Sequence, residues 1–137
     1  MQIDGACLCG YLSYEAVINP DLVMICHCSD CQTTTGSYHA GVLVNVEDFV
    51  LRCGTPKVFY KMAESGRKRA LSFCPDCGVS LYGANADNPK TYSLRLGTIR
   101  QRSALKPKRQ IWTRSRLPWV TNIEGIEAYT TQPEVKL

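Results

Sequence analysis

The sequence predicts a mainly β fold on two observations: strand-sized apolar or alternating runs, and Gly and Pro punctuation between them. Residues 10–18 (GYLSYEAVI) alternate apolar and polar side chains, as a half-buried strand does. Residues 40–46 (AGVLVNV) form a short apolar β-branched run, and 57–62 (KVFYKM) and 69–74 (RALSFC) are two further strands. The series closes with 79–82 (VSLY), 92–96 (YSLRL) and 111–113 (IWT). Gly54, Pro56, Gly66, Gly78, Gly83, Pro89 and Gly97 separate the runs, a spacing that favours antiparallel pairing.

One short helix is expected after Ser29. Ser29-Asp30-Cys31-Gln32 has the capping-box pattern, with Ser29 at the cap and Gln32 three residues on; Gly36 then stops the helix within two turns. Cys31 would lie in the first turn, where the helix dipole favours a thiolate.

A length of 137 residues fits a single domain spanning 1–137, and a hydrophobic fraction of 45% is enough for a real core. The start, Met1-Gln-Ile-Asp-Gly, lacks the basic and apolar regions of a secretory signal, and no apolar run approaches the roughly 20 residues of a membrane span. The expected setting is the cytoplasm, with no membrane partner. Thiols stay reduced there, so eight cysteines favour metal binding over disulfides.

Charge placement says more than net charge. Seven thiolates and two zinc ions would reduce the formal +4 to +1. Yet no acid stands between Asp87 and Glu124, while Lys90, Arg95, Arg100, Arg102, Lys106, Lys108, Arg109, Arg114 and Arg116 do. Such a stretch is either a solvated basic face or a rim that attracts an anionic small molecule or nucleic acid.

Cys7 and Cys9 form a C-x-C pair, Cys74 and Cys77 a C-x-x-C knuckle ending in Gly78, and Cys26, Cys28 and Cys31 a C-x-C-x-x-C triplet. Zinc takes four tetrahedral ligands, and seven cysteines cannot complete two such sites, so the simplest partition is four plus three. The triplet can hold three corners of one tetrahedron, leaving Cys7, Cys9, Cys74 and Cys77 as a closed structural clamp. A site with three protein ligands and an exchangeable fourth is the pattern of catalytic zinc, and an incoming thiol could bind there as its thiolate. Cys53, His27, His39 or a partner could instead close it. Cys53 alternates with Leu51 and reads as a small buried packing residue. His27 should point away from a metal held by its neighbours, as an outer or surface group. His39 is expected to line the open site.

The motifs Gly5-Ala-Cys-Leu-Cys-Gly10, Cys26-His-Cys-Ser-Asp-Cys31 with Gly36, and Phe73-Cys-Pro-Asp-Cys-Gly78 resemble those of the glutathione-dependent formaldehyde-activating (GFA/CENP-V) family. The likeness continues through Leu96-Gly97-Thr98, Ile111-Trp112 and Leu117-Pro118-Trp119, so it covers nearly the whole chain. It implies a β-tent of antiparallel sheets with two zinc ions, one structural at Cys7, Cys9, Cys74 and Cys77, one reactive at Cys26, Cys28 and Cys31. It implies a carbon–sulfur lyase activity, addition of glutathione to formaldehyde to give S-hydroxymethylglutathione. Gln110 stands where many members carry a His before the Ile-Trp pair.

The functional expectation is therefore a zinc enzyme acting on a thiol such as glutathione and a small electrophile, with Cys26, Cys28 and Cys31 catalytic. His39, Arg95 and Arg114 are the candidates for contacting the substrate, with Arg116 a further basic choice. The alternative is a non-catalytic zinc module that binds a protein or nucleic acid through the basic face. Aromatic interleaving there is thin (Tyr92, Trp112, Trp119), which disfavours nucleic acid. Sulfoxide reduction is a third reading, but it needs a nucleophilic cysteine outside the zinc sites, and Cys53 alone remains.

Overall fold

The computed structural model describes residues 1–134. It contains ten strands: β1 Gln2–Ala6, β2 Ser13–Val17, β3 Val23–Cys26, β4 His39–Asn45, β5 Phe49–Cys53, β6 Lys57–Met62, β7 Lys68–Phe73, β8 Ser80–Asn85, β9 Thr91–Arg95 and β10 Arg109–Ile111. A single α-helix, α1 (Ser29–Thr35), joins β3 to β4. The strands form a three-stranded sheet in the order β1-β2-β5 and a seven-stranded sheet in the order β10-β3-β4-β9-β8-β7-β6. The protein is thus the mainly β, two-sheet tent that the sequence predicts. The exception to antiparallel pairing is β10, which runs parallel to β3 with Gln110 opposite Ile25 and Ile111 opposite Cys26.

The core lies between the small sheet and one face of the large one. Ile3, Tyr14 and Ala16 from the small sheet meet Val42, Val44, Leu81 and Leu94 from the large sheet, all buried. Tyr14 carries a hydroxyl into this layer and shares a 2.8 Å hydrogen bond with Thr98 Oγ1, which satisfies a buried polar group. Phe49, Tyr82 and Tyr92 close the layer with ring centroids 4.2–5.4 Å apart. Because strand side chains alternate, the other face of the large sheet is left to His39 and Gly41 from β4, Arg95 from β9, Leu71 from β7 and Phe59 from β6.

Three expectations are corrected. Cys53 is exposed rather than packed. It ends the outer strand β5, and the β2–β5 register slips between Ser13 and Tyr14, so the alternation that placed it with Leu51 is broken there. The N-cap of α1 is Cys28, not Ser29: its sulfur accepts from the Cys31 N–H at 3.5 Å, so a metal-binding candidate also serves as the cap. Gln32 does not complete a capping box. Its Nε2 donates to the carbonyls of His27 (2.8 Å) and Ser115 (2.6 Å), pinning the Cys26–Cys28 loop to a turn near the chain's end. Gly36 stops the helix as expected, in the left-handed region at φ 86°. No helix among the described residues is long and apolar enough to cross a membrane.

Candidate functional site

Two groups of sulfur atoms come together. Cys7 and Cys9 lie in the β1–β2 connection and Cys74 and Cys77 in the β7–β8 connection, and their four Sγ atoms are all within 4.8 Å of one another. Tetrahedral zinc with bonds of about 2.3 Å would set its sulfurs about 3.8 Å apart. Cys7–Cys9 at 3.5 Å and Cys9–Cys74 at 3.7 Å match that edge, and both are far longer than a disulfide. The group joins the two sheets, because β1–β2 belongs to the small sheet and β7–β8 to the large one.

Cys26, Cys28 and Cys31 form the second group, again within 4.8 Å. Cys26 ends β3, Cys28 caps α1 and Cys31 sits in its first turn, so the strand-to-helix corner delivers all three. The acid–base pattern suits a cation in both groups. A hydrogen bond from Cys31, with help from Arg95, holds the Cys26 thiol down at about 6, and its hydrogen bond to Cys26 pushes Cys31 up. In the other group the Val79 N–H holds Cys77 at about 6. Cys26 in one group and Cys77 and Cys7 in the other ionise more readily than a free thiol, while Cys31 and Cys9 are pushed up by their sulfur neighbours, a conflict that a bound divalent ion removes. Both sets of donors therefore fit a soft-ligand metal such as zinc.

His27 is buried, not a surface group, and its Nε2 meets Gln110 Oε1 at 2.7 Å. The link spans 83 residues and depends on the parallel pairing of β10 with β3, which nothing in the linear pattern signals. With the Nε2 proton on Gln110, His27 Nδ1 is left buried without a hydrogen-bond partner. The His27 N–H donates to Ile111 O at 3.1 Å, so strand β10 braces the loop between two metal-binding candidates.

An open cleft of about 1140 Å³ is lined by Cys7 of the first group and by Thr34, Thr35, Tyr38 and His39, which neighbour the triplet in the chain or across the β3–β4 ladder; none of the three triplet cysteines lines it. His39, paired with Cys26 across the β3–β4 ladder, forms part of its wall. Burial, with the Arg95 charge adding to it, pulls His39 down to about 3, so its imidazole is neutral, and its Nε2 has no hydrogen-bond partner. The ring lies across Gly41, and a Cβ there would stand 2.6 Å from Cε1 and Nε2 and 2.7 Å from Leu94 O. Gly41→Ala must displace either the ring or the β4–β9 backbone. The expected loss is about 1–3 kcal/mol in a urea melt, and an unchanged melt would mean that the ring does not occupy this position.

Arg95 lines the cleft with Arg100 and Arg102, and no acid does, so the acid-free stretch supplies its charge. Arg100 is paired with Asp4 at 2.7 Å, whereas Arg95 donates to the neutral Ser80 Oγ at 3.1 Å. Arg114 is not brought to the cleft: it pairs with Glu64 and stacks 5.0 Å from the Trp112 ring. Arg116 is exposed and likewise outside it. Gly41 was not signalled by the sequence, because its role depends on a contact with the His39 ring and the neighbouring strand, and Gln32 was read as a capping residue rather than as the tie to Ser115.

A crystal structure of a Rhodobacter sphaeroides protein, a Northeast Structural Genomics target, is similar in fold, with a TM-score of 0.60 and 18% identity over 78% of this chain and 98% of that one. No curated protein matches the chain in sequence. The family model described as glutathione-dependent formaldehyde-activating enzyme matches residues 2–115, and with the cysteine motifs gathered as described, the chain belongs to that family.

Proposed function

We propose that the chain is a zinc-dependent enzyme of the carbon–sulfur lyase type, joining glutathione or a similar thiol to formaldehyde or another small electrophile. The observation that carries this reading is a three-sulfur group whose Cys26 pairs across the β3–β4 ladder with His39, a wall residue of a cleft lined by arginines and no acid. Cys7, Cys9, Cys74 and Cys77 would fill a tetrahedron and serve structure, whereas Cys26, Cys28 and Cys31 would leave one position for a ligand from the cleft. Zinc held there would supply Lewis acidity, keeping an incoming thiol as its thiolate at neutral pH.

The chain's own residues position the reactants. Arg95, with no carboxylate partner of its own, binds a substrate carboxylate and holds the thiol end near Cys26. His39, neutral, forms part of the wall beside the reactants. Phe59, Leu71 and Phe73 in the cleft limit water around the electrophile. In the reaction, sulfur bonds to the carbonyl carbon, the carbon–oxygen π pair moves onto oxygen, and the proton lost by the thiol ends there as a hydroxyl. No oxidant or reductant is needed, and the gain comes largely from proximity.

Metal analysis with zinc-edge X-ray absorption, with and without glutathione, tests the proposal. Two zinc ions per chain are expected, with one additional sulfur ligand at one of them when glutathione is added. Two sites indifferent to thiol would overturn the enzyme reading and favour the non-catalytic module.

A further inference from the structure

We propose that strand β6 is a self-pairing edge, through which two copies of the chain join their seven-stranded sheets about a two-fold axis. This edge lies outside the cysteine groups, and its pairing does not depend on the chemistry proposed for them.

Strand β6 ends the large sheet, so one side of its backbone has no neighbouring strand. The Ala63 N–H donates to Arg67 O at 2.9 Å, and the β6–β7 ladder alternates from that bond. Lys57, Phe59 and Lys61 therefore turn their N–H and C=O groups toward β7, while Val58, Tyr60 and Met62 turn theirs outward. The devices that usually blunt an edge are missing here. β6 is six residues long and contains no proline, and its pairing with β7 has no register shift. Lys61, the charged residue inside the strand, is drawn onto Asp30 of α1. The other sheet edges are blunted: β10 has three residues, β1 is bridged to Ile99 through Gly5, and β5 pairs irregularly with β2.

The strand is apolar on both faces. Phe59, Tyr60 and Met62 are each more than half exposed, and Val58 is exposed beside them. Val58, Tyr60 and Met62 belong to the core-side face of the large sheet, because Val58 stands opposite Ser72, Ser72 opposite Tyr82 and Tyr82 opposite Leu94. The small sheet covers that face at Leu94, which is fully buried, and leaves it bare at β6.

A second copy is the occupant these residues fit. In a sheet continued across a two-fold axis, each residue meets one on the same face, so the central registers set Phe59 against Phe59 or Tyr60 against Tyr60. The first opposes Lys57 to Lys61, like charges facing each other directly. The second pairs Val58 with Met62 and Tyr60 with Tyr60, lays Phe59 against the stem of Lys61, and opposes no like charges. Phe59 is also a wall residue of the cleft, so Lys61 of the second copy would stand at that wall. The two clefts would open on the same side of the joined sheet. Because both copies use the same edge, the contact closes as a dimer instead of growing into a fibre.

Sedimentation equilibrium of the zinc-loaded full-length protein is the test. A mass of twice 15.3 kDa is expected at high concentration, with half-dissociation near about 10 μM, since a strand-to-strand contact is at the small end of specific interfaces. Tyr60 is the self-opposed position, so Tyr60→Lys and Tyr60→Glu should each weaken the dimer at least about tenfold, and mixing the two in equal amounts should restore it as a heterodimer. Tyr60→Pro removes an outward N–H that β7 does not use, and should also give a monomer. Thermal melts of the variants separate loss of pairing from loss of fold. A native chain that stays monomeric at about 500 μM would leave the edge to an unlike strand and overturn the proposal. A dimer untouched by both charged variants would overturn it too, as would an equal mixture of them that stays monomeric.

Discussion

Replacing Cys74 with serine is expected to leave a chain that does not hold its native fold at 37 °C. Cys74 is fully buried in the layer where the β1–β2 and β7–β8 connections meet, and its sulfur lies 3.7 Å from that of Cys9. If that group holds a structural zinc, the apparent binding energy is about 10–16 kcal/mol, comparable to the whole stability of a domain at about 5–15 kcal/mol. Serine is a poor zinc ligand and would also bury a hydroxyl among Cys7, Leu12 and Leu81. Chelation of the native protein should have the same consequence as the substitution. Circular dichroism with a thermal melt reads both, and a loss of cooperative unfolding is expected in each. A melting temperature within about 5 °C of the native value would show that the four sulfurs are packing rather than a metal clamp.

Cys31→Ser should behave in the opposite way, keeping the fold and losing the chemistry. Cys31 lies in the first turn of a seven-residue helix with no buried residue. The core layer does not depend on it, so the melt is expected to shift by only a few degrees. Loss of a metal-ligating sulfur removes the group that would hold the thiol, and turnover with glutathione and formaldehyde is expected to fall at least about 100-fold, beyond the 10- to 100-fold typical of an outer hydrogen-bonding partner. Zinc content should drop from two per chain to about one. Turnover within tenfold of native would move the chemistry away from the triplet. Opposite outcomes for these two substitutions would establish the division between the sulfur groups.

The four-plus-three grouping of the sulfurs was legible in the sequence, because C-x-C and C-x-x-C spacings are local and the count follows from coordination number. The strands with strong patterns were legible for the same reason: 57–62 is β6 as expected, and the other expected runs overlap β2, β4, β7, β8, β9 and β10. What escaped depends on partners far along the chain. Strand β1 has one large apolar side chain, Ile3, and buries Gly5, which leaves no mark on a hydrophobic pattern. Strand β3 was masked by the cysteine triplet that it enters. Strand β5 drew attention only for Cys53, and the register slip there reverses the inference about its burial. The acid-free stretch framed the search for anion-binding residues, and Arg95 within it does line the cleft. Arg114 lies inside that stretch, but Glu64, from a distant hairpin, neutralises it.

The sulfur group that joins the two sheets also has a kinetic meaning. Cys9 and Cys74 are 65 residues apart, so bringing their connections together carries a loop-closure entropy cost that already formed sheets would have met. Metal capture would therefore come late in folding, as a latch on a nearly finished structure rather than a nucleus for it. In the reverse direction the sheets could not separate until a metal–sulfur bond had broken. The half-life of the native chain would then follow the rate of metal release, and a chelator strong enough to drain the ion but too slow to extract it would leave the protein folded long after equilibrium favoured unfolding.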